Sequence, residues 1–411
     1  MGNKLIKVDV PHFKHFRKRI DLQNNISETL TKVCAKEEGA LKMLVLHGES
    51  GTGKTTLVSY MIHSKACLPM WKQCGIDVVL WLDCFQWKDR FDEEDLTREI
   101  IKLANQVDPK TNDLQRIGEV HDFFQLNNQK VLLVLDNFLN ITIVQKIEII
   151  CPWFITFIIT TDISYLKKES HLPFETIQLL PADDDEIANM LKDTFSLKEK
   201  LDNVQIQALA KKCCGLPVIA SLVAAPFRSC ETKEESLAQY GTMEEIVSRP
   251  LKGHRHSLVY ELFEFNINRL RPEEKRELYY RLLLFDPNQP VEPADLAILW
   301  GIDYKVAVND CVIYCQHNLL RRSNQGEHGN CYVVHPILFD TCVINAKIHK
   351  FGQNLSEIRT KIVTEFTGDC SKLLELLVRA IENKRRHVIE VIFEKCDEQL
   401  LARVCQLPVD N

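Results

Sequence analysis

The segment Gly48-Glu49-Ser50-Gly51-Thr52-Gly53-Lys54-Thr55 satisfies the pattern G-x-x-x-x-G-K-[ST] at every fixed position and directly follows the apolar run Leu44-Val45-Leu46. A loop of this kind works only between a buried strand and a helix, so it commits the chain to an α/β domain. Its glycines let the backbone fold back until successive N–H groups converge on phosphate oxygens. Lys54 then reaches the β- and γ-oxygens, and Thr55 offers its hydroxyl to Mg²⁺. The run Thr56 to His63 reads as the helix, whose N-terminal dipole adds to the attraction for an anion. Gly48 to Thr56 is therefore the candidate nucleotide-binding set, with ATP or ADP and Mg²⁺ as expected ligands.

Between residues 41 and 180 short β-rich runs alternate with helical patterns, which is how a parallel sheet with crossover helices reads. Strands are expected at Leu41 to His47, Ile76 to Leu82, Val131 to Asp136, Ile155 to Thr160 and Thr176 to Leu180. Each is apolar on both faces, as strands covered by helices on both sides must be. This makes a five-stranded phosphate-loop sheet. Helices are expected at Ile20 to Lys36, Asp95 to Asn105, Ile117 to Leu126 and Ile141 to Ile150.

From Asp183 the β-rich runs stop. Glu186 to Asp193 and Val204 to Cys213 read as amphipathic helices after acidic or polar caps. Leu258 to Leu283 reads as a further helix that ends at the breaker-rich Asp286-Pro287-Asn288-Gln289-Pro290. Glu292 to Trp300, Tyr304 to Cys315 and a hairpin-like Leu319 to Val334 with Gly326 and Gly329 then give helix, helix, strand, strand, an order that suits a winged helix. Leu355 to Val404 reads as helical throughout. The expected division is a nucleotide-binding α/β domain over 1–181, a small helical domain over 182–249, a winged-helix domain over 250–345 and the start of a second helical domain over 346–411. No repeat of fixed period is visible.

The chain has 411 residues, a net charge of −6 and 45% hydrophobic residues, the balance of an ordinary folded protein rather than a nucleic-acid-coating one. The basic clusters Lys14 to Arg19 and Lys384 to His387 read as solvated faces. The N-terminal residues lack a signal-peptide core, and the apolar run Ile149 to Thr161 is too short to span a bilayer, so a cytoplasmic location without membrane contact is expected. The 15 cysteines are scattered and often lie in apolar runs, as at Cys342 and Cys405, which fits reduced core thiols. Cys311, Cys315, His317, His328, Cys331 and His335 fall close together, yet Cys311 and Cys315 sit within an apolar helical pattern, so a core role is preferred to zinc.

A bound nucleotide also needs a carboxylate that holds Mg²⁺ through water, delivered at the end of a neighbouring buried strand. The run Val131-Leu132-Leu133-Val134-Leu135-Asp136 supplies it, and Asp136 is the metal-side candidate with Thr55.

Taken in order, the phosphate loop, Val79-Leu80-Trp81-Leu82, the run ending at Asp136, Phe157-Ile158-Ile159-Thr160-Thr161 and Gly215-Leu216-Pro217-Val218 resemble the motifs of the NB-ARC nucleotide switches. The order continues through Leu283-Leu284-Phe285, Leu299-Trp300 and Tyr332-Val333-Val334-His335. The spacing is closest to the animal apoptotic-protease-activating factors and the nematode cell-death activator. The resemblance implies that Pro217 packs against adenine, that His335 touches the β-phosphate of ADP, that Thr160 and Thr161 are sensors near the γ-phosphate, and that Arg19 is the basic residue of the N-terminal motif. It also implies a population switch, with ADP bridging the domains of a closed monomer and ATP favouring an open form that assembles. Expected partners are further copies of the chain or a related full-length scaffold, together with apoptotic regulators.

The departures from that pattern matter equally. Asn137 stands where the family has a second acidic residue, and an amide cannot take a proton from an attacking water, so hydrolysis should be slow at most. Asp162 stands where an arginine would neutralise the γ-phosphate, and Pro336 replaces the Asp after the histidine. The segment before Leu41 is too short for the death-fold recruitment domain of those relatives, and 346–411 cannot form a propeller of repeats. A DNA-binding transcription regulator of the same architecture is an alternative, but residues 291–345 hold three basic side chains (Lys305, Arg321, Arg322) against six acidic ones, which argues against nucleic acid. A fragment of an innate-immunity NB-ARC receptor is another, although no leucine-rich repeats are present. A small-molecule kinase would need an acceptor pocket and base that cannot be nominated.

Overall fold

The structure is a computed structural model that describes residues 5–11, 19–35, 42–84, 93–108, 114–138, 140–160, 174–249, 256–287, 290–323, 331–348, 354–365, 370–382 and 386–395. The chain divides into two compact units, Met1–Glu186 with Gly215–Pro217, and Ile187–Cys214 with Val218–Asn411.

The first unit is built on a parallel sheet of six strands: β1 (Ile6–Val8), β2 (Lys42–His47), β3 (Ile76–Asp83), β4 (Lys130–Asp136), β5 (Ile155–Thr160) and β6 (Phe174–Gln178), in the spatial order β1-β3-β4-β5-β2-β6. The sequence reading gives five strands. The sixth, β1, has three residues, too few to show alternation or an apolar run, and it exists by pairing in parallel with β3, Ile6 opposite Val78 and Val8 opposite Leu80.

Alternate residues of each strand face opposite sides. Met43, Val45, Leu80, Leu133 and Ile158 pack beneath α4 (Glu93–Asn105), α5 (Ile117–Leu126) and α6 (Ile141–Ile150). Leu44, Leu46, Val79, Trp81, Leu132 and Val134 pack beneath α1 (Ile20–Cys34), α2 (Lys54–His63) and α3 (Leu68–Gln73). With both faces covered, the inner strands β2 to β5 need apolar residues at nearly every position, as the sequence shows; β6, expected at Thr176 to Leu180 as apolar on both faces, is instead Phe174–Gln178, an edge strand in which Glu175, Thr176 and Gln178 are exposed. The loops that leave the carboxyl ends of the strands converge there, the place where open α/β sheets bind ligands.

The second unit is mainly helical. From α7 (Asp184–Asn189), whose first residues belong to the first unit, it continues through α8 (Asn203–Lys212), α9 (Pro217–Ala224) and α10 (Lys233–Ser248). Reciprocal side-chain caps start two of these helices, Asp202 with Gln205 before α8 and Thr232 with Glu235 before α10. The expected helix Leu258 to Leu283 is not continuous. It is broken into α11 (His256–Asn268), α12 (Glu274–Arg281) and a tighter turn Leu282–Leu284, because Pro272 has no N–H to continue α11; the Arg271–Pro272 bond is cis.

Next come α13 (Pro293–Trp300), α14 (Tyr304–Gln316), the antiparallel pair β7 (Arg321–Ser323) and β8 (Cys331–Val333), and α15 (Pro336–Ile348). The Tyr279 hydroxyl donates to the Leu319 carbonyl at 2.8 Å and that of Tyr314 to the Lys275 carbonyl at 2.7 Å, so these buried rings carry their polar ends without loss. The last described helices are α16 (Leu355–Glu365), α17 (Cys370–Glu382) and α18 (Arg386–Lys395). Arg359 donates to the Leu283 carbonyl and to Asp286, both at 2.8 Å, and Arg379 donates to Asp295 and Glu292, which ties α16 and α17 to the preceding segment. Among the described residues no helix is long and apolar enough to cross a membrane.

Leu133 lies fully buried in β4, with a strand on each side and helices on both faces. Leu133→Ala is expected to cost the first unit about 2–5 kcal/mol through lost transfer energy and a residual cavity. Urea unfolding followed by tryptophan emission in a Trp300→Phe background checks this, since that background silences the tryptophan of the second unit.

Candidate nucleotide-binding site

The loop from Gly48 to Gly53 turns from β2 into α2, and three of its glycines take positive φ: Gly48 at 153°, Gly51 at 83° and Gly53 at 94°. Gly48 is constrained twice, since a Cβ there would also stand 2.3 Å from the Leu179 carbonyl oxygen beyond β6. Gly53 is the left-handed residue that precedes the first turn of α2. The Thr52 hydroxyl donates to the Glu49 carbonyl at 2.8 Å and holds the loop closed on itself. Glu49, Ser50 and Thr56 are half-buried at its surface.

Lys54 is 7% exposed, and its ammonium donates to the carbonyls of Gly48 at 2.8 Å and Glu49 at 2.9 Å. Burial pulls its pKa down to about 8 against the opposing pull of Asp136 and Glu49. An anion placed in the loop would add counter-charge to what Asp136 and Glu49 supply. Thr55, one residue on, donates from its hydroxyl to Asp136 Oδ1 at 3.0 Å, and the Asn137 N–H donates to the same oxygen at 2.9 Å. Asp136 ends β4 and is 2% exposed; burial first, and the neighbouring Asp83 second, push its pKa up to about 7. The two sequence candidates for the metal side are thus in direct contact, although one strand, β5, lies between β4, which ends in Asp136, and β2, which leads through the loop into the helix of Thr55. Their donors are a hydroxyl and a carboxylate, hard oxygens of the kind Mg²⁺ accepts.

Pro217 is the first residue of α9, and its Cγ lies 4.0 Å from the point where a Cβ on Gly53 would stand. It is held there by its neighbour Gly215, whose φ of 70° and approach to Ala182 leave no room for a side chain; a Cβ would meet the Ala182 oxygen at 2.3 Å. The Ala182 N–H donates to the Gly215 carbonyl at 2.8 Å and completes the attachment.

Other expected residues have partners of their own. Arg19 precedes α1 and grips Glu186 through Nε and a terminal nitrogen, each at 3.1 Å, while its other nitrogen reaches the Leu180 carbonyl at 3.3 Å. Thr160 ends β5 opposite His47, and its buried hydroxyl donates to the Phe138 carbonyl at 2.6 Å. Thr161 and Asp162 lie outside the described residues. His335 belongs to the second unit, where its Nδ1 accepts from the Ile337 N–H at 3.2 Å at the start of α15.

Sequence reasoning missed Asp83 and Glu186. Asp83 ends β3 in register with Asp136 and accepts from the Asn137 side-chain amide at 3.0 Å. The available signal was that Val78 to Leu82, like Val131 to Leu135, is an apolar run ending in Asp. Glu186 had no such signal, because its partner Arg19 is 167 residues away.

These features define a phosphate-loop nucleotide-binding α/β domain. The NB-ARC domain family matches residues 21–166, so this stretch of the chain is similar to that family. No curated protein matches the chain. Among solved structures it is similar to the ORC2 protein of Aeropyrum pernix in ADPNP–ADP complexes, with 13% identity, 82% of this chain and 97% of that one covered, and a TM-score of 0.43. A mutant of Thermotoga maritima RuvB gives 11% identity, coverage of 81% and 95%, and a TM-score of 0.37. Drosophila ORC bound to DNA gives 11% identity, coverage of 79% and 85%, and a TM-score of 0.35.

Gly48→Ala should abolish nucleotide binding and lower the melting temperature, because the added carbon drives the loop off the Leu179 carbonyl; calorimetric titration with ADP and a thermal scan measure both. Asp136→Asn should do the opposite to stability in the absence of nucleotide and Mg²⁺. The carboxyl pKa is raised in the folded state from 3.8 to about 7, so its penalty is absent below the unfolded value, grows between the two and is full above the folded one. The variant should gain stability at pH 8, by about 4 kcal/mol at most (about three pH units at about 1.36 kcal/mol each), and nothing at pH 3.5, read from unfolding curves at both.

Proposed function

We propose that the protein is an ADP/ATP switch whose nucleotide state controls self-assembly into an apoptosome-like signalling scaffold. The observation that carries the nucleotide part is the convergence of Lys54, Thr55, Asp136 and Pro217 on one loop at the carboxyl end of the sheet. Backbone N–H groups of the loop and Lys54 would hold the phosphates, Thr55 and Asp136 would hold Mg²⁺, and Pro217 would meet the base. A metal held by Thr55 and Asp136 would supply charge neutralisation; the chain itself would orient the phosphates and keep water from Lys54, which is 7% exposed.

The assembly part rests on motif order. Helix, helix, strand, strand across 293–333 supports a winged-helix domain, and His335 directly after it supports an ADP contact from that side. Regulation of cell death, a cytoplasmic location, and partnership with further copies or a related full-length scaffold follow from the same order of motifs. Turnover is expected to be slow, since Asn137 offers its amide to Asp83 and has no carboxylate to activate water.

Freshly purified protein, denatured and chromatographed, should release ADP or ATP near one equivalent, and Lys54→Ala should release none. Light scattering should then show a monomer with ADP and a larger species with ATP. Absence of bound nucleotide together with failure to bind added ADP would sink the switch; binding without any change in mass would remove the assembly role alone.

A further inference from the structure

Asp83 and Asp136 are register partners at the carboxyl ends of adjacent parallel strands. By strand alternation Asp83 shares a face with Val79 and Trp81, and Asp136 with Leu132 and Val134, all of which pack on the side covered by α2. Both carboxyls therefore stand on the face of the helix that carries Thr55. Asp83 is held in place, since Asn137, at a left-handed φ of 53°, donates its side-chain amide to Asp83 Oδ1 at 3.0 Å and its N–H to Asp136 Oδ1 at 2.9 Å. The Cys84 N–H donates to the Asp136 carbonyl at 2.8 Å and locks the ends of the two strands together. One asparagine thus bridges two carboxylates.

We propose that Asp83 is the second carboxylate of the Mg²⁺ site, supplying from the adjacent strand the negative charge that Asn137 does not. This rests on the nucleotide-switch reading of the same loop. Two neighbouring carboxylates held at adjacent strand ends repel each other unless they share a proton or face a cation. A divalent ion relieves that repulsion, and Mg²⁺, which keeps several of its waters, can be held by one carboxylate directly and another through a water. In that arrangement Asn137 is a positioning residue: it orients both acids. Metal and nucleotide should then bind as a coupled pair, because phosphates meet an uncompensated negative site when the metal is withheld.

The test uses Mn²⁺ as a stand-in visible by electron paramagnetic resonance, with full-length protein and ADP. Asp83→Asn keeps the shape of the side chain and an oxygen for the Asn137 amide. It should weaken Mn²⁺ binding about 10-fold or more, in the range seen when a supporting group of a metal site is lost. ADP affinity in EDTA should hold or improve in the same variant, and Asp83→Glu should recover part of the Mn²⁺ affinity. A purely structural role would move both affinities together with the melting temperature. Mn²⁺ affinity in Asp83→Asn within about twofold of wild type, well below that range, overturns the inference while leaving the nucleotide switch standing. Wild-type protein that binds neither ADP nor Mn²⁺ overturns both.

Discussion

The hydrogen bond between the Thr55 hydroxyl and the buried Asp136 carboxyl is the contact around which the site is organised. It joins the helix after the phosphate loop to the end of a strand two places away in the sheet, and it lies beside a lysine that burial has made easier to deprotonate. Burial works against the ionic form of each partner, raising the pKa of the carboxyl and lowering that of the amine. Neither charge is well compensated within the chain. A magnesium nucleotide brings both opposite charges at once, phosphate for Lys54 and cation for Asp136, so binding relieves two desolvation costs together.

Much of the first unit was legible because its signals are local. The phosphate loop is a contiguous pattern, and α5 and α6 begin and end where periodicity places them. The apolar strands announce burial on both faces. The sheet also shows where local reading stops. β1 is defined by its neighbour β3 rather than by its own three residues, and the interruption at Pro272 was hidden inside a stretch whose apolar spacing reads as one helix.

The site divides along the same line. Lys54, Thr55 and Asp136 carry motif-level signals and meet as expected. The constraint on Gly48 comes from Leu179, far along the chain, and no pattern at residue 48 distinguishes a glycine needed for its φ from one needed because another backbone crosses it. Asn137 is the instructive case: as a residue type it reads as a loss of acidity, whereas in the fold its amide and N–H hold two carboxylates in place. A substitution in a motif can move a charge to an adjacent strand instead of deleting it.

Pro217 connects this chemistry to the rest of the chain. The backbone passes between the two units at residues 186–187, 214–215 and 217–218, so the segment that contributes Pro217 to the loop is only three residues long and is covalently continuous with α9. Gly215 fixes that segment against Ala182 through a contact too close for any side chain. In the proposed switch, a ligand that displaced or retained Pro217 would act on the first turn of α9 through the chain itself. For a switch from 1:99 to 99:1 the two nucleotides must differ by about 5.5 kcal/mol in their preference for the two states. Pro217 has no N–H and can meet a base only by packing, which gains about 0.1–0.2 kcal/mol per atom pair, so it alone falls short of that difference. In the proposed switch the remainder would have to come from charge, and Lys54 and Asp136, both buried beside the loop, are the groups placed to supply it.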